Sequence, residues 1–230
     1  MPKRDTIKNV VEKPMIVLAS SSPRRRELFA LLGLPFQAVD PQVDETPLEG
    51  EDPKGTALRL ASAKAQEAAM SHPEAIIVAA DTLVISGEKI LGKPKDRDEA
   101  VAILKALRGK KHRVISGVRV LDVATRKKRE AMADTQVWMR DYSEEEIARY
   151  IGRGEPFDKA GGYAIQDEEF QPVARVKGCY ANVMGLPLCH LYTALKRVAV
   201  NPPATPLEAC IGFTGHECIL AQRILGYPTR

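Results

Sequence analysis

Several features of membrane, secreted and nucleic-acid-binding proteins are missing from this sequence. No apolar run approaches the roughly 20 residues that a membrane-spanning helix needs, and the charged segment 1–13 lacks an apolar signal-peptide core. The net charge is only +4, from 34 Lys and Arg against 30 Asp and Glu, and these charges are dispersed along the chain. We therefore expect a cytoplasmic protein whose partners are small molecules, with no nucleic acid and no membrane among them.

Cysteine is scarce and is confined to one end of the chain. All four residues lie in the last quarter, as Cys179, Cys189, Cys210 and Cys218. This distribution is unlike the evenly spread framework of a disulfide-stabilised secreted protein, so we expect reduced thiols. Cys210, His216 and Cys218 form an alternative set of metal ligands, but their spacing matches no zinc motif and supplies only three donors.

Apolar runs and amphipathic segments alternate through the first half of the chain. The apolar runs predict strands at 15–19, 36–39 and 75–80, and helical periodicity predicts helices at 23–32 and 53–71. Strands that alternate with helices in this way indicate an α/β fold.

The second half predicts antiparallel strands beside this pattern. Its elements, in order, are a tight hairpin at 84–91, a helix from the Asp96–Glu99 capping pair to 108, strands at 113–123 and 128–139, a helix from the Ser143–Glu146 capping pair to 152, and a core helix at 186–198. The sheet is therefore expected to be mixed, with helices flanking it. We divide the chain into an extension at 1–14, one domain at 15–198, and a tail at 199–230 with one short amphipathic helix.

The stretch LASSSPRRRELF, residues 18–29, joins the first predicted strand to the first predicted helix. Arginines in a first helical turn are unfavourable beside the positive end of the helix dipole unless an anion binds there. A serine cap followed by proline leaves backbone amides free for such an anion. The side chains that would surround a phosphate group here are Ser20, Ser22, Arg24 and Arg25. An ordinary helix cap with solvated arginines is an equally weighted alternative.

Four more charged side chains stand where an α/β sheet places its ligands. Asp81 follows the third predicted strand, where a carboxylate binds a divalent metal, accepts a proton from water, or merely caps the next turn. Lys64 interrupts the apolar stripe of its helix, and periodicity alone favours a side chain that snorkels to solvent over one that points inward. Lys93 lies in the loop GKPK, and Glu45 adds a second carboxylate if its own loop folds over the same crevice.

Hydroxyl, guanidinium and ammonium donors beside metal-binding carboxylates are the combination that phosphoryl chemistry with Mg²⁺ or a similar ion requires. The cations neutralise phosphate charge, while a carboxylate orients or deprotonates water. The residues alone therefore predict a polyphosphate hydrolase or a polyphosphate-binding protein.

Seven blocks of this sequence resemble, in the same order, those of the Maf family of nucleoside triphosphate pyrophosphatases. The blocks are LASSSPRRRELF (18–29), VDET (43–46), ASAKAQ (61–66), AADTLV (79–84), LGKPKD (91–96), GEPFDKAGGYAIQ (154–166) and NVMGLPL (182–188). They cover nearly all of residues 15–198, and the ordered set is far more specific than any one block. The resemblance implies an elongated mixed α/β fold of two lobes, with the substrate in the cleft between them.

The activity that the resemblance implies is hydrolysis of a nucleoside triphosphate between its α and β phosphates, assisted by a divalent cation such as Mg²⁺, Mn²⁺ or Co²⁺. Asp81 matches the family's proton acceptor, and Lys64 and Lys93 match further charged catalytic positions. Glu45 also matches a charged position and joins Asp81 as the expected metal-binding pair. The substrate-binding residues that the resemblance implies are Ser20, Ser22, Arg24, Arg25, Thr82, Lys159 and Gln166.

The resemblance also implies which base the site prefers. Gln166 ends the block KAGGYAIQ, as in the branch that acts on dTTP and UTP and unlike the branch that acts on 7-methyl-GTP. A glutamine amide can pair with both O4 and N3–H of thymine or uracil, although it can equally cap a strand end. Arg24 and Thr82 align with the other specificity positions of the family.

A non-catalytic nucleotide-binding regulator of septum formation is the competing function. Such a protein would tolerate the loss of Asp81, Lys64 or Lys93, and this sequence keeps all three, which favours the enzyme. Two departures from the family pattern, Ala80 in place of the usual glycine and the tail beyond 200, leave the charged residues intact. We expect a nucleoside triphosphate as substrate and a homodimer as the self-associated state.

Overall fold

A computed structural model describes residues 14–226 of the protein. The extension predicted at 1–14 lies outside the described residues except for its last position. Among the described helices, none combines the length and the apolar character needed to cross a membrane.

A mixed sheet of seven strands runs through the described part of the chain. The strands are β1 (Ile16–Ala19), β2 (Gln37–Val39), β3 (Ile76–Ser86), β4 (Lys89–Leu91), β5 (Lys111–Asp122), β6 (Lys127–Met139) and β7 (Val173–Lys177). Their order across the sheet is β2-β1-β3-β5-β6-β7, and β4 pairs with the far end of β3. Strands β2, β1 and β3 are parallel, whereas the pairs from β3 through β7 are antiparallel. The predicted α/β class and the mixed sheet are confirmed.

Eight α-helices accompany this sheet within residues 14–226. They are α1 (Pro23–Ala30), α2 (Pro53–Ser71), α3 (Arg97–Leu107), α4 (Glu144–Gly152), α5 (Tyr180–Val183), α6 (Leu188–Lys196), α7 (Pro206–Thr214) and α8 (Ile219–Leu225). Most predicted boundaries agree to within two residues. Side-chain caps explain several starts, because the carboxylates of Asp52 and Asp96 and the hydroxyl of Ser143 accept hydrogen bonds from first-turn amides.

Strand β3 is longer than predicted from the sequence. Its additional residues include Asp81 and Thr82, two of the predicted site residues. The apolar run stops at Ala80, but the strand continues to Ser86 because it keeps pairing with β5. Its parallel pairing with β1 ends earlier, at Ala79 opposite Ala19. Asp81 therefore lies inside a strand, at the point where the neighbouring strand ends and the sheet opens on one side.

The close approach of α2 to the sheet depends on one glycine in β5. A Cβ atom at Gly117 would lie 2.6 Å from the carbonyl oxygen of Ala57, which is shorter than any ordinary contact. Because glycine lacks that atom, α2 packs directly on β3 and β5, with Ala57, Leu60 and Ala61 fully or nearly fully buried. The next turn of the same helix face carries Lys64 toward β3.

The tail differs from its prediction, since it contains two helices, α7 and α8, where one was expected. It also packs on the domain. Val200 and Cys210 belong to the same buried cluster as Leu195 of α6, and the amide of Ala204 donates to the carbonyl of Leu32, 3.3 Å away. Only one helix was predicted because the segment between α7 and α8 is exposed and the end of the chain shows no clear second helical pattern.

Candidate active site

A cavity of about 500 Å³ opens where the pairing of β1 with β3 ends. Its walls come from the start of α1, the loop after β2, α2, β3, the loop after β4, the turn before Tyr163, and the end of α5. The predicted site residues that line it are Ser20, Ser22, Arg24, Arg25, Glu45, Lys64, Asp81, Thr82, Lys93 and Lys159. Side chains that are far apart in sequence thus converge on one space.

The ammonium of Lys64 is a buried charged group of the cavity. Its Nζ lies 2.6 Å from Oδ1 of Asp81 and 2.5 Å from Oε1 of Glu45. The Lys64 and Asp81 side chains are only 9% and 8% exposed, whereas that of Glu45 is 54% exposed. The snorkelling expected for Lys64 is therefore wrong: two carboxylates compensate the charge that would otherwise need water.

These contacts keep the Glu45 carboxylate charged. Partial burial acts to raise the pKa of Glu45, but the hydrogen bond and the charge of Lys64 outweigh it and hold the pKa below its ordinary value. The charges of Lys93 and Arg25 act in the same direction. Glu45 is therefore an ionised oxygen donor at neutral pH, available to a cation.

The start of α1 offers unpaired donors to an anion. Ser22 occupies the predicted N-cap position, but its side chain makes no capping hydrogen bond, and Pro23 follows it. The amides of Arg24 and Arg25 therefore have no hydrogen-bond partner among the described residues. Arg24 adds a buried Nε that has no hydrogen-bond partner among the described residues. Unpaired buried donors at a helix N-terminus are the features that a phosphate group would satisfy.

Arg25 is held more firmly than Arg24. Its Nε donates to the carbonyl of Gly185 at 2.9 Å, its Nη2 to Oγ1 of Thr82 at 3.1 Å, and its Nη1 to Oγ of Ser20 at 3.4 Å. Burial, opposed by the nearby charge of Asp81, lowers the pKa of Arg25. Two of the five guanidinium N–H groups are left for a ligand.

The two remaining lysines differ in their surroundings. Lys93 is exposed at the cavity mouth, near Glu45. Lys159 is buried, and its three ammonium hydrogens are used by Asp158 Oδ1 at 2.5 Å, the Glu155 carbonyl at 2.5 Å and Glu155 Oε2 at 3.1 Å. Lys159 thus contacts a substrate only by exchanging one of these acceptors.

Gln166 is the one predicted site residue that the structure does not bring to the cavity. It is exposed in a turn and is absent from the cavity lining. The adjacent Asp167 anchors this turn, because its Oδ1 accepts from Arg153 at 2.7 Å and from the amide of Phe170 at 2.7 Å. Tyr163, three residues before Gln166, does line the cavity.

Sequence reasoning missed three groups around the cavity. The carbonyl of Gly185 accepts from Arg25, and its block was recognised without a role for this residue. Ser116 lies behind Thr82, and the buried His112 contacts the hydroxyl of Tyr163 at 2.7 Å. Ser116 and His112 carried no signal, because only the pairing register of β5 shows what they face.

A second cavity of about 350 Å³ lies between β7, α5, α6 and the tail helices. All four cysteines line it, together with His216, whose ring stacks on Tyr180 with centroids 4.1 Å apart. The four thiols are free, and within residues 14–226 no three Cys, His, Asp or Glu side chains are grouped to hold a metal ion.

The fold and the first cavity define an α/β protein in which a helix start with unpaired donors lies in the same cavity as a pair of carboxylates. Residues 15–198 match the family described as Maf-like protein. The chain is 44% identical over 186 residues to a dTTP/UTP pyrophosphatase of Pelotomaculum thermopropionicum, an alignment that covers 81% of this chain and 97% of that protein. It is 44% identical over 210 residues to the dTTP/UTP pyrophosphatase of Thermomicrobium roseum, with 90% and 94% of the two chains covered. The protein of that name from Caldanaerobacter subterraneus is 45% identical over 183 residues, covering 79% and 88%. This protein belongs to the Maf family, as its motifs predicted.

Proposed function

We propose that this protein is a nucleoside triphosphate pyrophosphatase that hydrolyses dTTP and UTP to the monophosphate and pyrophosphate. The observation that carries the proposal is the Lys64 ammonium between Asp81 and Glu45, in the same cavity as the start of α1. The choice of dTTP and UTP rests on the names of the relatives, which align along most of this chain.

The triphosphate would bind at the start of α1. The amides of the first turn lie there, Arg24 carries an unpaired Nε, and Ser20 and Ser22 line the same cavity. Arg25, half-buried and held by protein acceptors, adds positive charge without having to reorganise. Lys93, exposed in the cavity lining, would neutralise the outer phosphates.

Asp81 is the group we assign to accept the proton of the attacking water. Water would attack the α phosphorus and give a proton to the free oxygen of Asp81, while the bond between the α phosphorus and the oxygen bridging to the β phosphorus breaks and that oxygen stays with the pyrophosphate. Pyrophosphate then leaves with its charge neutralised by the surrounding cations. Lys64 holds Asp81 through Oδ1 alone, which leaves Oδ2 for the proton.

The divalent cation that the family implies fits the carboxylates of this cavity. An oxygen of each carboxylate lies within 2.6 Å of Lys64 Nζ, so Glu45 and Asp81 are close neighbours and would hold the cation beside that ammonium. One or two carboxylates completed by phosphate oxygens and water are the ligands that Mg²⁺ usually takes in proteins. When bound, the ion supplies charge neutralisation and a lowered pKa of the attacking water.

We further propose that this cavity is the central cleft of a two-lobed Maf domain spanning 15–198. Every residue that lines it falls between Ala19 and Gly185, which supports a catalytic domain that needs no side chain from the tail. The tail at 199–230 would then stabilise the domain without adding a catalytic group.

Pyrophosphate release from a panel of triphosphates, with Mg²⁺ or Mn²⁺, tests the proposed function. We expect the highest kcat/KM for dTTP and UTP, and lower values for CTP, GTP, ITP and 7-methyl-GTP. A preference for 7-methyl-GTP would assign the protein to the other branch of the family. Inactivity of well-folded protein on the whole panel, with retained nucleotide binding, would favour the non-catalytic regulator.

A further inference from the structure

Ser116 is a buried hydroxyl directly behind the wall of the proposed active site. It lies in β5 opposite Thr82 of β3, is completely buried, and does not itself line the cavity. Its Oγ is 2.8 Å from Oγ1 of Thr82. The other contacts of Thr82 Oγ1 are Nη2 of Arg25 at 3.1 Å and the carbonyl of Gly185 at 3.3 Å.

The direction of these hydrogen bonds follows from counting protons. Each hydroxyl has one proton and two lone pairs, and Arg25 fills one lone pair of Thr82. Thr82 is the only hydrogen-bond partner of the Ser116 side chain among the described residues. If Thr82 donated to Ser116, the Ser116 proton would be buried without an acceptor, which is costly. Ser116 therefore donates to Thr82, and Thr82 donates to Gly185.

This chain of bonds ends on the arginine that the phosphates would meet. The Gly185 carbonyl accepts from both Thr82 and Nε of Arg25, so the guanidinium is held at two neighbouring points. A Cβ atom at Gly185, whose φ is +111°, would lie 3.4 Å from that Nε, which shows how closely the backbone approaches. Because Ser116 donates to Thr82, the Thr82 hydroxyl directs its own proton to the Gly185 carbonyl. The remaining lone pair of Thr82 Oγ1 then accepts from Arg25.

We propose that Ser116 is a positioning residue for phosphate binding, acting through Thr82 on Arg25 and the Gly185 carbonyl. The inference rests on the proposed function, because it assigns the orientation of Arg25 to the triphosphate. It also explains why a polar side chain occupies a fully buried position of β5 whose neighbours on the same face, Val114 and Val118, are apolar.

A double-mutant cycle between Ser116 and Thr82 tests the inference. Thr82→Val removes the acceptor with little change of shape, and Thr82→Ser keeps the hydroxyl without adding volume. We expect Ser116→Ala to raise KM for dTTP roughly 3- to 10-fold in the wild-type and Thr82→Ser backgrounds, the range of one hydroxyl hydrogen bond, while kcat changes less. In the Thr82→Val background, Ser116→Ala should cost nothing further.

A purely structural role predicts a different result. If Ser116 only fills space, Ser116→Ala would leave KM unchanged or would act equally in all three backgrounds, and either result would overturn the inference. Ser86→Ala, at the end of β3 away from the cavity, is the matched control, and thermal unfolding checks that each variant is folded.

Pyrophosphate binding measured by calorimetry separates this inference from the proposed function. If wild-type protein released no pyrophosphate from any triphosphate, the proposed function would fail, yet the cycle could still be read from the Kd of pyrophosphate. We expect the same 3- to 10-fold weakening by Ser116→Ala, again absent in the Thr82→Val background. An unchanged Kd in that case would remove the inference as well.

Discussion

Lys64 and Asp81 form a buried ion pair, with Nζ 2.6 Å from Oδ1 and both side chains less than a tenth exposed. The pair joins α2 to β3 at the point where β1 no longer covers the sheet. A buried pair of this kind stabilises a fold little in net terms, since desolvation offsets the attraction. Its position in a cavity that also collects unpaired donors supports the catalytic role proposed for it.

The first prediction concerns the proton acceptor. Asp81→Asn should lower kcat for dTTP by about 100-fold or more, the usual contribution of a general base, and should leave nucleotide binding largely intact. The amide oxygen still accepts from Lys64, so the fold should persist. Steady-state kinetics and nucleotide titration measure the two effects. Asp98→Asn, in the first turn of α3 and away from the cavity, serves as the control, and near wild-type turnover by Asp81→Asn would contradict the assignment.

The second prediction concerns the ammonium. Lys64→Met should abolish most of the activity and lower the free energy of unfolding by about 3 kcal/mol, because Asp81 is then buried without its partner. Adding Asp81→Asn to this variant should restore part of the stability but none of the activity. Urea unfolding measures the first effect and pyrophosphate release the second. Lys127→Ala, at an exposed position in β6, should change neither quantity.

The third prediction is a pH dependence of stability that originates at His112. Burial lowers the pKa of His112 to about 4, against an ordinary value of about 6.5 in the unfolded chain. The unfolded state therefore binds the proton first as the pH falls, and stability is lost between about pH 6.5 and pH 4. Above about pH 6.5 both states are neutral and the effect disappears.

Urea unfolding of wild type and His112→Gln at about pH 7.5 and about pH 5 measures this dependence. Between these values the wild type should lose about 2 kcal/mol more than the variant, because glutamine does not titrate. Subtracting the loss in the variant from the loss in the wild type cancels the contributions of the carboxylates and of the other histidines. Parallel losses in the two proteins would show that His112 does not carry the effect.

The fourth prediction concerns Gln166, which sequence reasoning assigned to base recognition. Its exposed position outside the cavity leads us to expect that Gln166→Ala changes the ratio of kcat/KM for dTTP over 7-methyl-GTP by no more than about 2-fold, less than the effect of losing one hydrogen bond to the substrate. Asp167→Ala, which removes the side chain that anchors this turn, tests whether the position of the turn affects the preference for dTTP. A collapse of the dTTP preference in Gln166→Ala would show that the turn moves onto the base, as the resemblance implies.

Local signals predicted much of the fold, while the exceptions depend on tertiary pairing. The bounds of α2, Pro53–Ser71, agree with the sequence prediction because Asp52 caps the start and a proline follows the end. The end of β3 was misplaced because Asp81 and Thr82 are polar, and polarity marks either a strand end or a strand that crosses a cavity. Only the pairing with β5 separates these cases.

In the candidate site, too, some features depend on tertiary contacts that the sequence does not reveal. Motif blocks identified nearly every charged group of the cavity, but the inward position of Lys64 required knowledge of both carboxylates that face it. Ser116 was not predictable, since a serine within a strand has no signature until its cross-strand partner is known. Position along the chain likewise did not show that Gln166 lies outside the cavity lining.

The last prediction separates the domain from its tail. A chain ending at residue 200 loses α7 and α8, which pack on α6 and bury Cys210 and Ala221. Its free energy of unfolding should fall by roughly 3 kcal/mol, the scale of one or two buried apolar side chains. Since the cavity lining ends at Gly185, kcat and KM of the folded fraction should stay within about 2-fold of the full chain, a change below about 0.4 kcal/mol. Urea unfolding and kinetics at low temperature measure both, and a folded but inactive truncated protein would mean that the tail shapes the active site.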